Sequence, residues 1–182
     1  MKMEADERKK QIRQAAIKVF LDKGFRNTVM NDIMEATGLS RGGLYHHYGS
    51  THEILYDIMM EGNINRKDII QKSIYDEGLI LSPHLFSRMI IDKILADNDY
   101  AKLYIMFLCE LKENDDLKEL YVRIKKESIQ VFKELFSTLF NELPSDDTFE
   151  FMINIMNSGL MACEILNARE NFTKNKLSLI HI

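Results

Sequence analysis

At 182 residues and 21.3 kDa, the chain is long enough for one compact domain or for a small domain joined to a larger one. With 46% hydrophobic and 29% charged residues, two prolines and eight glycines, it can build a packed core and is too poor in Pro and Gly to be disordered or fibrous. A net charge of −4 and a pI near 5.8 argue, over the whole chain, against a nucleic-acid partner.

Ile12, Ala15, Ala16, Val19 and Phe20 fall at the i, i+3, i+4, i+7, i+8 spacing of an amphipathic helix. Gly24 supplies a left-handed stop, and Phe25 is the apolar contact beyond it. Thr28 is expected to cap a short second helix that turns Ile33, Met34 and Ala36 inward, with Gly38 ending it. Ser40 then caps a third helix over residues 40–48. Two short capped helices around a tight glycine turn outline a helix-turn-helix.

Ser50, with Glu53 at the capping-box position, opens a longer helix through Ile54, Leu55, Ile58 and Met59 towards Tyr75. Further helices are expected from Pro83 to about Ala96, from Asn98 or Asp99 to Lys112, and over Leu117, Leu120, Tyr121, Ile124, Phe132, Leu135, Phe136 and Leu139. Pro144 breaks the chain, and Asp146 or Asp147 caps a last clear helix to about Arg169. No segment alternates with period two for long enough to make a strand, so the fold class is all-α. The helix after Pro144 is apolar on most of its circumference. It needs cover either from the core alone or from the core and a second subunit.

The charge is unevenly spread. Residues 1–52 hold nine Lys/Arg and six Asp/Glu, a net +3, and the remaining 130 residues carry −7. His46, His47 and His52 also fall in this head, as do five of the eight glycines, between Gly24 and Gly49. Local potential, not the whole-chain pI, attracts phosphates. In the third helix Arg41 stands at the N-terminal end, where a guanidinium can grip guanine bidentately. Gly42 and Gly43 would each cost about 1 kcal/mol in a helix interior, and they suit a backbone that must approach DNA closely. Tyr45, His46 and His47 offer donors to phosphates or base edges, and Thr28 adds a hydroxyl at a helix N-terminus.

The series Gly24-Phe25-x-x-Thr28-Val29-x-x-x-Ile33, then Gly38-Leu39-Ser40-x-Gly42-x-Leu44-Tyr45-x-His47-Tyr48, resembles the TetR family of bacterial transcriptional regulators over about residues 8–56. Within that family, the Gly-x-Leu-Tyr-x-His run and the helix order are most similar to QacR-like multidrug-binding repressors. The resemblance implies a three-helix DNA-binding domain, taken as residues 1–49, and a helical effector-binding and dimerisation domain, taken as residues 50–182. It also implies a homodimer on a palindromic double-stranded operator, with the last two helices pairing with their mates in a four-helix bundle and a small-molecule effector releasing the DNA. Thr28, Tyr45 and His47 become phosphate contacts, Arg41 and Gly42 the base readers, with His46 beside them. Two departures matter. Tyr48 replaces the usual phenylalanine, and Thr51 stands where a lysine commonly opens the fourth helix and touches phosphate. Thr51 keeps its place in the DNA-binding set but removes one charge from it, which lowers the salt dependence of binding.

The effector site is expected among Phe86, Met89, Tyr100, Tyr104, Phe107, Glu110 and Met156, a set that an ordinary core would also use. Glu110 lies in the apolar stretch 103–111; buried, it needs a partner, and a lipophilic or aromatic cation supplies one. Glu164, between Cys163 and Ile165, is a second such carboxylate. No two of His46, His47 and His52 stand three or four apart, so no metal site is expected. No nucleophile–base set appears, so neither an enzyme nor a cofactor is expected. Charge-dense residues 1–10 argue against a secretory leader, and the longest apolar run, 103–109, is far short of the roughly 20 residues of a membrane span. Cys109 and Cys163 lack CxxC spacing and are expected to be buried free thiols in a reducing cytoplasm. The rival functions are a helical protein-interaction module, and a DNA-binding activator or nucleoid-type binder without an effector. Residues 177–182 equal the translation of CTG TCT CTT ATA CAC ATC, a string resembling the end of transposase-based sequencing adaptors. The natural chain is therefore expected to depart from this one after about Lys176 and to carry a further helix.

Overall fold

The computed structural model describes residues 2–76, 83–137 and 145–176, and no strand occurs among them. In chain order the elements are α1 (Lys2–Lys23), α2 (Met30–Thr37), α3 (Arg41–Tyr45), α4 (Thr51–Asp76), α5 (Pro83–Ile94), α6 (Asp99–Glu110), a 3-10 turn (Leu111–Glu113), α7 (Asp115–Ser137), α8 (Asp146–Ile165) and α9 (Arg169–Lys174). Packing groups the chain into two units. One joins Met1–Gly62 with Lys102–Ile124, the other Asn63–Ala101 with Lys125–Ile182.

In the first unit α1 packs against α2 and buries Ile12, Ala16 and Phe20 completely, one residue per turn on a single face. Burying a side chain such as Ile or Phe contributes about 1.5–3 kcal/mol each. Gly24, at φ +80°, closes α1 by donating to the Phe20 carbonyl at 2.9 Å. The turn brings the Phe25 ring back to within 5.1 Å of Phe20. Gly38, at φ +67°, ends α2 in the same way.

The cap of α2 is Val29, not Thr28. Thr28 is 5% exposed, and its hydroxyl donates to the Gly24 carbonyl at 2.8 Å, a group left free where α1 stops. Asp32 compensates in part, its carboxylate accepting the Val29 N–H at 2.9 Å. Of the three residues expected inward, Ile33 is fully buried, Met34 is half-buried and Ala36 is exposed, because so short a helix turns only a narrow face to α1. Ser40 caps α3 as expected, accepting the Gly43 N–H at 3.2 Å. At the start of α4, Ser50 accepts the Glu53 N–H at 3.2 Å while the Glu53 carboxylate takes the Gly49 N–H at 2.8 Å. Ile54, Leu55, Ile58, Leu103, Phe107 and Leu117 are also fully buried in this unit. Cys109 is exposed, contrary to expectation: it stands in the last turn of α6, past the buried Leu103, Ile105 and Phe107.

In the second unit α5 packs against α8 so closely that a Cβ on Gly159 would lie 2.9 Å from two carbons of Ile94. Ser145 caps α8 by accepting the Thr148 N–H at 3.2 Å, which leaves Asp146 and Asp147 in the first turn, where their charge suits the helix dipole. Asn167, at φ +56°, turns the chain just past the end of α8, and the short α9 follows. Arg169 secures that corner. It donates to the Ala96 carbonyl at 3.1 Å, lies 3.4 Å from Asp97, and pairs with Glu164. Glu164 is therefore a counter-ion within the fold. Cys163 is buried, and burial raises its thiol pKa above the ordinary value. The tail at 177–182 lies outside the described residues.

Gly159→Ala is expected to destabilise the protein by about 1–2 kcal/mol in urea unfolding. Overpacking against Ile94 outweighs the roughly 1 kcal/mol of helix propensity that alanine brings. Shortening the neighbour, with Ile94→Val added, is expected to recover part of the loss.

Candidate functional site

Five residues make a helix too short to stand alone in water. α3 is held from outside itself: Leu44 is fully buried, Ser40 caps the start, and Tyr48, just past the end, is 2% exposed. With Leu44 inward, the opposite side of the helix is left to solvent. Arg41, Gly42 and His46 are exposed, Tyr45 is 46% exposed, and His47 is half-buried. Arg41 and Tyr45 stand one turn apart, with the guanidinium 5.7 Å from the ring centroid. The rings of His46 and His47 lie 5.1 Å apart, nearly perpendicular.

The two glycines of α3 have different reasons. A Cβ on Gly42 would meet nothing within 4 Å, so its backbone is open to a close approach. A Cβ on Gly43 would come within 3.2 Å of the Ser40 hydroxyl, so its bare backbone protects the helix cap. At the head of α2, Val29 is 58% exposed. Thr28 lies beneath, with its hydroxyl on Gly24 and its N–H on the Phe25 carbonyl at 3.1 Å; it presents no free donor. Thr51 opens α4 and is half-buried.

Behind α3 runs a polar network without a local sequence signature. Arg13 Nε donates to Glu61 at 2.6 Å and its Nη1 to the Tyr48 hydroxyl at 3.2 Å, while that hydroxyl donates to Asp57 at 3.0 Å. Lys9 Nζ lies 3.6 Å from Asp57 and 4.8 Å above the Tyr48 ring. Burial alone lowers the Arg13 pKa, but the hydrogen bonds to Glu61 and Tyr48 outweigh it and hold the guanidinium above its ordinary value. Burial is also the main reason the Tyr48 phenol is pushed up to about 12. The one sequence clue to this network was a tyrosine where phenylalanine was expected.

The expected effector residues divide between the units. Tyr104, Phe107 and Glu110 belong to the first, and the Phe107 ring lies 6.3 Å from both Tyr104 and Tyr121. Glu110 is half-buried, and its Oε2 is shielded from solvent without a hydrogen-bond partner. Phe86, Met89, Tyr100 and Met156 belong to the second unit, with Met156 buried. Two recesses in the first unit, one bordered by Arg8, Gln14, Lys18 and Thr37 and the other by Ser50, His52, Asp116 and Arg123, take in none of these residues. Among the described residues no group of three His, Cys, Asp or Glu side chains is placed to hold a metal. No described helix is long and apolar enough to cross a membrane.

Residues 12–58 match the family model of bacterial regulatory proteins, tetR family. From Bacillus subtilis (strain 168), the uncharacterized HTH-type transcriptional regulator YfiR is 44% identical over 57 residues, 31% of this chain and 28% of its own length. YerO, described likewise and from the same strain, is 24% identical over 146 residues, 75% of this chain and 48% of its own length. The chain thus matches about half or less of these relatives. Among solved structures, a transcriptional regulator FadR from Bacillus subtilis in complex with stearoyl-CoA superposes with a TM-score of 0.66 at 14% identity, covering 94% of this chain and 95% of its own. That likeness is one of fold.

The His47 pKa lies below the ordinary value, through burial first and then the neighbouring His46, Lys9 and Arg8 charges. The unfolded chain therefore binds the proton more readily than the folded one, so stability falls as pH drops from above the ordinary histidine pKa towards the lowered folded value. Thermal melts between pH 7.5 and 5 are expected to show this slope, and His47→Gln to flatten it.

Proposed function

We propose that the chain, whose residues 12–58 match the tetR family model, is a ligand-responsive repressor of that family that holds a palindromic operator as a homodimer. The observation that carries the DNA-reading part is the outward face of α3, where Arg41, Gly42, Tyr45 and His46 are exposed on a helix anchored by buried Leu44. Arg41 reads a base edge in the major groove, and the open backbone at Gly42 admits the close approach. Tyr45 and His47 contact phosphates, with Thr51 at the edge of the footprint. Thr28 acts by shaping the start of α2, since both of its donors are used inside the fold. The net +3 of residues 1–52 doubles to +6 in a dimer.

A second copy is supported by α8. Phe149, Met156, Leu160 and Cys163 are buried, while Phe151 (64% exposed), Ile155 (53%), Ile165 (50%) and Leu166 (74%) remain outside, too many large apolar side chains for a solvated face. The shielded Glu110 oxygen, which lacks a hydrogen-bond partner, supports an effector with a cationic or strongly donating group. The stearoyl-CoA bound by the FadR neighbour supports a lipophilic one. Effector binding favours the conformation in which the two heads no longer fit one DNA face, where recognition helices sit about 34–36 Å apart.

Two outcomes follow. A duplex recovered by the protein from a random-sequence pool is expected to shift it in gels, with Arg41→Ala costing about 1–3 kcal/mol at one base position and relaxing specificity there. No shift at low salt with any recovered duplex would end the DNA-binding proposal. In sedimentation, the double substitution Phe151→Asp and Ile155→Asp is expected to turn a dimer into a monomer without unfolding it, since neither side chain is buried.

A further inference from the structure

We propose that the Tyr48 hydroxyl is a positioning group for α3, tying the end of that helix to α1 through Arg13 and to α4 through Asp57. This rests on the DNA-reading role of α3 proposed above and adds to it the group that fixes the direction of the helix.

Tyr48 is bound to α3 through its backbone, its N–H donating to the Leu44 carbonyl at 3.1 Å, and its ring is almost wholly buried. A residue that only fills space there needs no hydroxyl. This hydroxyl is used twice, accepting from Arg13 at 3.2 Å and donating to Asp57 at 3.0 Å. Each partner is itself fixed. Arg13 is held by Glu61, one turn beyond Asp57 on α4, and Asp57 is approached by Lys9, one turn before Arg13 on α1. Two positions a turn apart on α1 thus meet two positions a turn apart on α4, and Tyr48 adds the recognition segment to that junction. Phenylalanine would keep the packing but leave Arg13 Nη1 and one Asp57 oxygen short of a partner in a part-buried site.

The α4 side of the junction has a second hold. Tyr56, adjacent to Asp57 and about 100° around the helix, lies under the Arg123 guanidinium of α7 at 3.9 Å. Consecutive side chains of α4 are therefore gripped by α7 and by the residue that ends the recognition segment. Arg123 and Tyr48 become coupled through α4.

The test uses the full chain, with hydrogen exchange at the amides of residues 43–47 as the first readout and affinity for a duplex recovered from a random pool as the second. Tyr48→Phe is expected to keep the circular dichroism of the wild type, to speed exchange in α3 by roughly 3–10-fold and to weaken DNA binding by a similar factor. Ser145→Ala, which removes the α8 cap, is the control: a lower melting temperature with α3 exchange and DNA affinity unchanged. Arg123→Ala is expected to alter α3 exchange when Tyr48 is present and to lose that effect in the Tyr48→Phe background. If Tyr48→Phe lowers the melting temperature while α3 exchanges at the wild-type rate, or if the Arg123→Ala effect is the same in both backgrounds, Tyr48 only fills the core and the proposal fails. Failure to recover any duplex would overturn the DNA-reading role alone, because the exchange measurements still decide whether Tyr48 couples α3 to α4.

Discussion

A helix of five residues forms fewer backbone hydrogen bonds than its nucleation costs, so α3 exists only because side chains outside its exposed face hold it. Leu44 drives inward, the Ser40 hydroxyl receives the Gly43 N–H, and Tyr48 buries its ring while its hydroxyl reaches two other helices. The rest of the first unit can be understood as support for that arrangement. The α1 face of Ile12, Ala16 and Phe20 gives α2 a surface to lie on, and Gly24 and Gly38 set the turns that bring α2 and α3 into place. Remove the burial of Leu44, and the exposed side chains of α3 have no fixed direction.

The electrostatics follow the same division between support and surface. Arg13, part-buried, is matched by Glu61 and Tyr48, and the exposed Lys23 at the end of α1 pairs with Asp32 at 2.5 Å. Arg41, by contrast, sits over the Tyr45 ring, an exposed contact worth about 0.5–1 kcal/mol, weak enough to be exchanged for a nucleic-acid partner at little cost. A whole-chain charge of −4 conceals this arrangement, because the acidic surplus lies beyond residue 52.

Where the chain follows a local rule, its sequence was readable. The period of α1, the glycine stops at Gly24 and Gly38, the Ser40 cap and the outward set Arg41, Tyr45 and His46 all depend on neighbours within a turn. Thr28 misled because its hydroxyl donates to the Gly24 carbonyl, which draws the side chain away from the N–H donors at the head of α2. Cys109 misled because an apolar run does not show where along a helix its cover ends; Ile105, one turn earlier on the same side, is buried. α9 left no periodic trace; its first residue, Arg169, reaches the Ala96 carbonyl, 73 positions earlier. The Arg13–Glu61 and Arg13–Tyr48 bonds span 48 and 35 residues, and no window of sequence contains both ends.

One consequence of the way α3 is anchored concerns how such a protein diverges. All the anchoring groups point away from the open face, so the residues on that face can change without loosening the scaffold, and exposed substitutions of this kind usually alter stability by less than about 0.5 kcal/mol. On the proposed DNA-reading role of α3, a duplicated copy could therefore be re-addressed to a new operator through Arg41, Tyr45 and His46 alone, with folding left as it was. The scaffold makes target choice and foldability nearly separate traits.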